Sequence, residues 1–594
     1  MVEKTIRKGS SFFMEEVPAG DVFTPEDFSE EHLMIIKTLE SFIKNEVVPH
    51  IDALEHKDWD LTRRLMLQAG ELGFLGVDIE EEYGGSELDH IASLLVCEYS
   101  ALSGSWGLGL NDHTGIGSMP LVFFGNKAQK EKYLPALATG EKLGAYALTE
   151  PGAGTDAMSI QTTAVLSPDG KYYMLSGTKQ YVTNGGFADV IFTYAKIDGD
   201  KMTAFILERD FEGISFGAEE KKMGLRGSST CSIFLDGAKV PVENVLYEIG
   251  RGHIVAFNIL NLGRFKLGAG SVGVAKLAME SSVGYSKERV QFGKPICQFG
   301  LIKHKIAEMA TRLYMAESMV YRTGGLIDNI FATVDRTAED SGRQSANSIF
   351  EYVVECSINK VYCSEMLDYV ADEAVQIYGG YGYCEDYPVE RIYRDNRIFR
   401  IFEGTNEINR LLIIGQLMRK ALKNEIPLLP VAEKVREEVP AMEPLSPSSG
   451  DGPLGYQRRL VERAKKIFLF LCGGAAQKYG MALEEEQEIL GLLSDIAQEI
   501  YAVESGLLRA LKSIESSGEQ RSRMKIDMVR LYSNDAMVRI RGYARQILAA
   551  METGDALDSQ LMTLRKVSQF TPINGVQLRR DIADGIIEVG RYTC

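Results

Sequence analysis

The chain has 594 residues, of which 45% are hydrophobic, 9% aromatic and 25% charged. Those proportions exclude collagen-like, disordered and disulfide-scaffold proteins, and at roughly 150 residues per domain they suggest about four structural units. Acids outnumber lysines and arginines 83 to 65, a formal net charge of −18, so phosphate backbones are repelled and nucleic acid is not expected as a main ligand.

Residues 1–24 read as a tail that either docks on the body or frays. They lack the apolar core of a signal peptide and are too acidic for a transit peptide. Residues 25–145 read as an N-terminal helical domain, with Ser29 capping a helix that carries Leu33, Ile36, Leu39 and Phe42 at helical spacing. The glycine-dense stretch from Gly104 to Gly117 implies close backbone approach or a pocket wall. After Gly144 the texture changes to short β-branched and aromatic runs separated by turn residues, a β domain over 146–250. Helix returns over 251–422, where Ile302, Ile306, Met309, Leu313, Ala316 and Val320 form one amphipathic face. The proline-rich stretch VPAMEPLSPSSGDGPLG makes 423–454 a linker, and 455–594 is a helical extension. Its most apolar run, Ile467 to Ala476, is too short to span a membrane and reads as a buried helix. The same run, as KIFLFLCGG, is the one stretch that gives membrane docking of the extension any support.

Eight cysteines form no CxxC pair, and the seven histidines show neither HExxH nor zinc-finger spacing. Reduced thiols, a cytoplasmic location and no metal site are therefore expected.

Two stretches imitate dinucleotide-binding turns. Gly268, Gly270 and Gly273 spell GxGxxG, but the preceding NILNLGRFKL is helical, so small residues that let helices approach are the better account. Gly152, Gly154 and Ala157 follow strand-like YALTE, yet more strand-like sequence comes next instead of a helix. This is a glycine-rich turn with hydroxyls from Thr149 and Thr155. By itself it fits an ordinary turn as well as a seat for a cofactor.

YALTEPGAGTDA, from Tyr146 to Ala157, resembles the first signature of the acyl-CoA dehydrogenase family. KQYVTNGG (Lys179 to Gly186), RVQFGKPICQFGLI (Arg289 to Ile302), AVQIYGGYGY (Ala374 to Tyr383) and RIFRIFEGTNEINR (Arg397 to Arg410) resemble later segments in the family's order. The resemblance covers about residues 30–422. QFGLI and the long extension are most similar to the very-long-chain branch.

The implied fold is α+β and multidomain: an N-terminal helical domain, a middle β-barrel-like domain, a helical bundle and an extra C-terminal helical domain. The implied activity is FAD-dependent α,β-dehydrogenation of a long-chain acyl-CoA in fatty-acid β-oxidation, with electrons leaving to an electron-transferring flavoprotein. An oxygen-using acyl-CoA oxidase, or a non-catalytic flavin-binding assembly protein on the same fold, are the alternatives.

Removing the α proton needs a carboxylate whose pKa is raised by a dry pocket. Glu403, between Phe402 and Gly404 after an apolar run, has that setting. The bland alternative is a glutamate placed favourably at a helix N-terminus, and the resemblance selects the base. The resemblance also implies that the Glu403 N–H polarises the thioester carbonyl, with Gly404 permitting close approach. It implies that Leu148, Thr149, Thr155, Tyr181, Thr183, Thr405 and Glu407 contact flavin. Tyr181 stands where the family commonly has tryptophan. Arg289, Phe292, Gln376 and Gly380 match positions that reach the FAD of a neighbouring subunit, which implies a homo-oligomer, with a dimer favoured. Arg264 matches a contact to the CoA portion of the substrate, although the family's neighbouring aspartate is Asn261 here.

Overall fold

The computed structural model describes residues 6–338, 340–448 and 452–594. Helices from Glu30–Phe42 to Lys127–Thr139 form the N-terminal layer. Ser29 caps the first of them, its hydroxyl accepting from the His32 N–H at 3.2 Å. The buried face differs from the expected one. Leu33 is 54% exposed, while His32, Ile35, Leu39 and Phe42 face inward. His32 Nε2 lies 3.1 Å from the Asp89 carboxylate, so burial leaves that ring nitrogen paired.

The β unit runs from strand Gly144–Ala147 to Val245–Leu246. Its spatial order is Ile214–Phe216, Thr230–Pro241, Tyr172–Thr183, Thr163–Leu166, Val190–Ile197, Lys201–Glu208 and Val245–Leu246, with Gly144–Ala147 added in parallel to Val190–Ile197. Lys201–Glu208 and Thr230–Pro241, which are not neighbours in that order, come back into contact. The sheet therefore curls around a small core of its own, containing Leu175, Ile191, Phe205, Ile233 and Val240.

Four long helices form the bundle that follows: Gly252–Glu288, Gly300–Phe331, Val353–Tyr378 and Asn406–Leu422. Gly268, Gly270 and Gly273 lie within the first, which runs unbroken through them. A Cβ on Gly273 would overlap the Glu98 carbonyl, so that glycine serves helix approach.

Part of the stretch expected as a linker is ordered structure: Leu428–Glu438 is a helix, with Leu428, Ala432 and Val435 buried. Residues 449–451 of that stretch lie outside the described residues. The extension comprises helices Gly455–Tyr479, Gln487–Ser517, Arg523–Met551, Gly554–Val567 and Gly575–Val589. Gln487–Ser517 packs on both Gly300–Phe331 and Asn406–Leu422. Fully buried Arg509 reaches Glu317 of the bundle at 2.6 Å and Glu26 of the N-terminal region at 3.0 Å. Such buried pairs add little net stability but specify how surfaces register.

Within the tail, residues 6–24 dock. Phe13 stacks on Phe468 with ring centroids 4.3 Å apart, and the Ser10 N–H donates to Glu355 at 2.5 Å. The run expected to favour a membrane faces the protein: Ile467, Phe468, Leu469, Phe470, Leu471 and Cys472 are all buried. Among the described residues no helix is long and apolar enough to cross a membrane.

Candidate active site

Glu403 sits between the short helix Arg397–Arg400 and the helix Asn406–Leu422. Thr405 caps the latter, its hydroxyl accepting from the Ile408 N–H at 3.4 Å. Glu403 has φ 57° and Gly404 φ 80°. Glycine enters the left-handed region freely. A glutamate there costs about 1–3 kcal/mol and persists only when its surroundings over-determine it.

Here they do. Arg264 Nε donates to the Glu403 carbonyl at 3.2 Å. Lys360 Nζ donates to the Gly404 carbonyl at 2.8 Å and to Asn406 Oδ1 at 2.7 Å. Asn409 Nδ2 donates to the Gly404 and Thr405 carbonyls at 2.8 and 3.1 Å. Three side chains from two bundle helices and the following helix thus fix the carbonyls of one turn.

The Glu403 carboxyl lies against the glycine of a neighbouring helix. A Cβ on Gly263 would stand 2.5 Å from Oε2 and 2.9 Å from Oε1. Oε2 is buried without a hydrogen-bond partner. Burial raises the carboxyl from its usual range to about 7, while Arg264 and Lys360 pull it down. Asp112, from helix Ser105–Thr114, is held well above the carboxylate range by burial and by Glu403. The Tyr146 hydroxyl is buried without a partner and also feels the Glu403 charge. The turn itself is half-buried, while the carboxyl oxygen that faces Gly263 and the Tyr146 hydroxyl are both buried without a partner.

Of the expected flavin-side residues, Leu148, Thr149, Thr155, Tyr181 and Thr183 belong to the β unit, and Thr405 and Glu407 to the start of helix Asn406–Leu422. The Gln180 N–H donates to the Thr149 carbonyl at 2.8 Å, joining the segment of Leu148 and Thr149 to that of Tyr181 and Thr183. Beneath, Lys179 and Glu150 form a buried pair at 2.6 Å. The register of Tyr172–Thr183 against Thr230–Pro241 shifts between Lys179 and Val182. That bulge re-aims its residue: Tyr181 has φ 57° and is 59% exposed. Leu148 is buried, Thr149 and Thr183 are half-buried, and Thr155 is exposed. Asn184, next to Thr183, donates to Asp112 at 3.4 Å, which ties this segment to Glu403.

Arg289, Phe292, Gln376 and Gly380 form a second, outward cluster. Phe292 is 94% exposed at the tip of the hairpin Val290–Gln291/Lys294–Pro295, Arg289 lies over the Tyr381 ring at 5.5 Å, and Gln376 and Gly380 are exposed. Arg264, expected at the CoA portion, is 8% exposed, and the contact it makes is the internal one to the Glu403 carbonyl. Glu407 is exposed in the first turn of the capped helix.

Lys360, Asn409, Asp112, Tyr146 and Gly263 were not expected. Lys360 had a signal: it lies on the face of Cys356, Cys363, Ser364 and Leu367, a buried stripe at helical spacing, where a lysine needs acceptors.

Four family models match: "Acyl-CoA dehydrogenase, N-terminal domain" over 29–141, its middle domain over 145–238, and two C-terminal-domain models over 250–418 and 463–566. A "Probable acyl-CoA dehydrogenase" of Bacillus subtilis (strain 168) is 50% identical over 590 residues, 99% of both chains. The human mitochondrial very long-chain specific acyl-CoA dehydrogenase is 37% identical over 497 residues, 79% of this chain and 73% of that protein. A crystal structure of an acyl-CoA dehydrogenase complexed with FAD from Bacillus anthracis superposes with TM-score 0.97 at 51% identity, covering 99% of this chain and 100% of that one.

Proposed function

Because the chain belongs to the acyl-CoA dehydrogenase family and is an FAD-dependent oxidoreductase, we propose that it oxidises long-chain acyl-CoA to the trans-2-enoyl-CoA as a step of β-oxidation, with Glu403 as the base. The observation that carries this reading is the Glu403 carboxyl itself. It stands on a left-handed backbone, its Oε2 lacks a partner, and it is raised to about 7 by burial. A base poised near the operating pH takes a proton most effectively.

The flavin-side residues of the β unit fit FAD. Tyr181 presents an open aromatic ring, and Leu148, Thr149, Thr155 and Thr183 offer an apolar edge and hydroxyls around it, which suits a flat heteroaromatic with a polar rim. Bound FAD supplies the acceptor for the β hydride, which no side chain can be. Glu403 takes the α proton at Oε2, and its N–H is aimed by the same turn for the thioester oxygen, where negative charge develops. Gly404 leaves room for that oxygen. Arg264, Lys360 and Asn409 hold the turn. Thr405 and Glu407, at the start of the next helix, are read as further flavin contacts.

Arg289, Phe292, Gln376 and Gly380 are read as reaching the FAD of a second copy of this chain, most simply in a dimer. Support comes from the exposed aromatic rings of the segments that carry them: Phe292 at the hairpin tip, and Tyr381 and Tyr383 just after Gly380, the first of these two under Arg289. Electron-transferring flavoprotein is read as the acceptor and the cytoplasm as the setting. Anaerobic titration of the holoenzyme with palmitoyl-CoA tests the reading: the flavin band bleaches and a long-wavelength charge-transfer band grows. A flavin that stays oxidised moves the substrate to short, branched or non-CoA acyl groups, and rapid reoxidation in air favours an oxidase.

A further inference from the structure

A continuous line of polar contacts joins the C-terminal extension to the Glu403 turn. It begins at Asp495, on the extension helix Gln487–Ser517, whose Oδ1 accepts from Arg410 Nε at 2.7 Å. Arg410 lies on the helix that Thr405 caps. Its other two nitrogens grip both oxygens of Glu365 at 2.8 and 2.9 Å, the bidentate geometry that fixes a guanidinium most firmly. Glu365 Oε1 also accepts from Asn406 Nδ2 at 3.1 Å. Asn406 Oδ1 accepts from Lys360 Nζ at 2.7 Å, and the same ammonium donates to the Gly404 carbonyl at 2.8 Å. No gap in this line exceeds hydrogen-bond distance.

We propose that Asp495, Arg410, Glu365, Asn406 and Lys360 act as one positioning chain, through which the extension holds the Glu403–Gly404 turn in its left-handed conformation and keeps the Lys360 cation beside the base. This rests on the reading of Glu403 as the base.

Each link has a separate physical task. Lys360 sits in a buried stripe where an ammonium is costly, and burial lowers it to about 7. It stays at the turn because two acceptors are aimed at it. Asn406 can aim its carbonyl at Lys360 because its amide nitrogen donates to Glu365 and to the Ser364 hydroxyl, each at 3.1 Å. Glu365 would otherwise compete for Lys360, whose charge it attracts, and Arg410 occupies both of its oxygens. Asp495 holds the third side of the guanidinium, so the orientation of Arg410 depends on the extension being in place. The other charged or titratable groups around Glu403 are Arg264 from helix Gly252–Glu288, Asp112 from Ser105–Thr114 and Tyr146 from strand Gly144–Ala147. Glu407 and Arg264 are the others that act on Lys360. None of these belongs to the extension, so the chain is the polar route from Asp495 to the base.

The test is the pH dependence of flavin reduction by palmitoyl-CoA in the full-length holoenzyme, with melting temperature recorded in parallel. E403Q is the control: if it still bleaches at the wild-type rate, the base assignment fails whatever the chain does. With that control passed, K360M is expected to raise the midpoint by about one to two pH units, since an opposite charge close to a carboxylate lowers its pKa by that order. D495A is expected to move it the same way by about half a unit, a coupling of the size shared polar networks carry. In the double variant the two shifts should fall short of their sum, because Asp495 acts through Lys360. A D495A midpoint equal to wild type would overturn the proposal and leave the extension a packing domain, even if melting falls. So would fully additive shifts. If D495A does not fold, D495N keeps the volume, removes the charge and is read by the same two outcomes.

Discussion

The Glu403–Thr405 turn is held by side chains of its own chain, whereas Arg289, Phe292 and Tyr383 are left exposed by it. In the first region every carbonyl of the turn meets a donor from another part of the same molecule. In the second, a phenylalanine and a tyrosine stand 94% and 88% exposed. The difference separates two kinds of preorganisation. The groups that hold Glu403 all come from one chain, whereas the outward residues meet little of it.

The largest expected effect falls on the first region. Glu403→Gln keeps the shape and removes the base, so the rate of flavin reduction in stopped flow should fall by about 10²–10⁴-fold while FAD remains bound. An unchanged rate would mean that the proton leaves elsewhere. Gly263→Ala comes next. Its Cβ would stand 2.5 Å from Glu403 Oε2, and the movable neighbour is the carboxyl. Reduction should slow by about 10²-fold, as a displacement near 1 Å commonly costs, with little change in melting temperature. A large loss of stability with normal turnover of the folded fraction would contradict this.

Among the exposed residues, Phe292→Asp should weaken self-association by about 30-fold, the scale of a central aromatic anchor, seen as dissociation in sedimentation velocity. It should also weaken FAD retention, with the reduction step itself less altered in the protein that stays loaded. Unchanged sedimentation would remove that residue from the assembly.

The smallest effects concern pH. Glu403 titrates near 7 in the folded chain against 4.5 when free, so kcat/KM should rise with pH through about 7 as the base ionises. Its contribution to stability runs the other way. The folded state holds the proton more tightly, so the contribution is full below pH 4.5, declines between 4.5 and 7, and is lost as pH rises through 7. E403Q should flatten that part of the melting-temperature profile, and an identical slope in both proteins would argue against the raised value.

Motif order and spacing made much of this legible. Runs of β-branched residues marked the β unit because side chains alternate along a strand, and helical spacing marked the face of Gly300–Phe331, with Ile306, Met309, Leu313, Ala316 and Val320 all buried. The FEGT segment pointed to Glu403. Other features were hidden for identifiable reasons. Leu33 and His32 exchanged places on their helix because Asp89, far along the chain, pairs with the histidine. Residues 428–438 looked like linker beside so much proline, yet they fold as a helix whose apolar side meets the extension helix Gly455–Tyr479.

By itself, then, the sequence determined the order of the domains and pointed to Glu403 as a candidate base, since each depends on local pattern or on contiguous motifs. Only the tertiary structure decided how Glu403 is held. Gly263, Arg264, Lys360 and Asn409 meet around one turn although long stretches of chain separate them. Their contacts carry no local signal, because a hydrogen bond to a distant carbonyl is written in the packing of helices and not in the spacing of residues along any one of them.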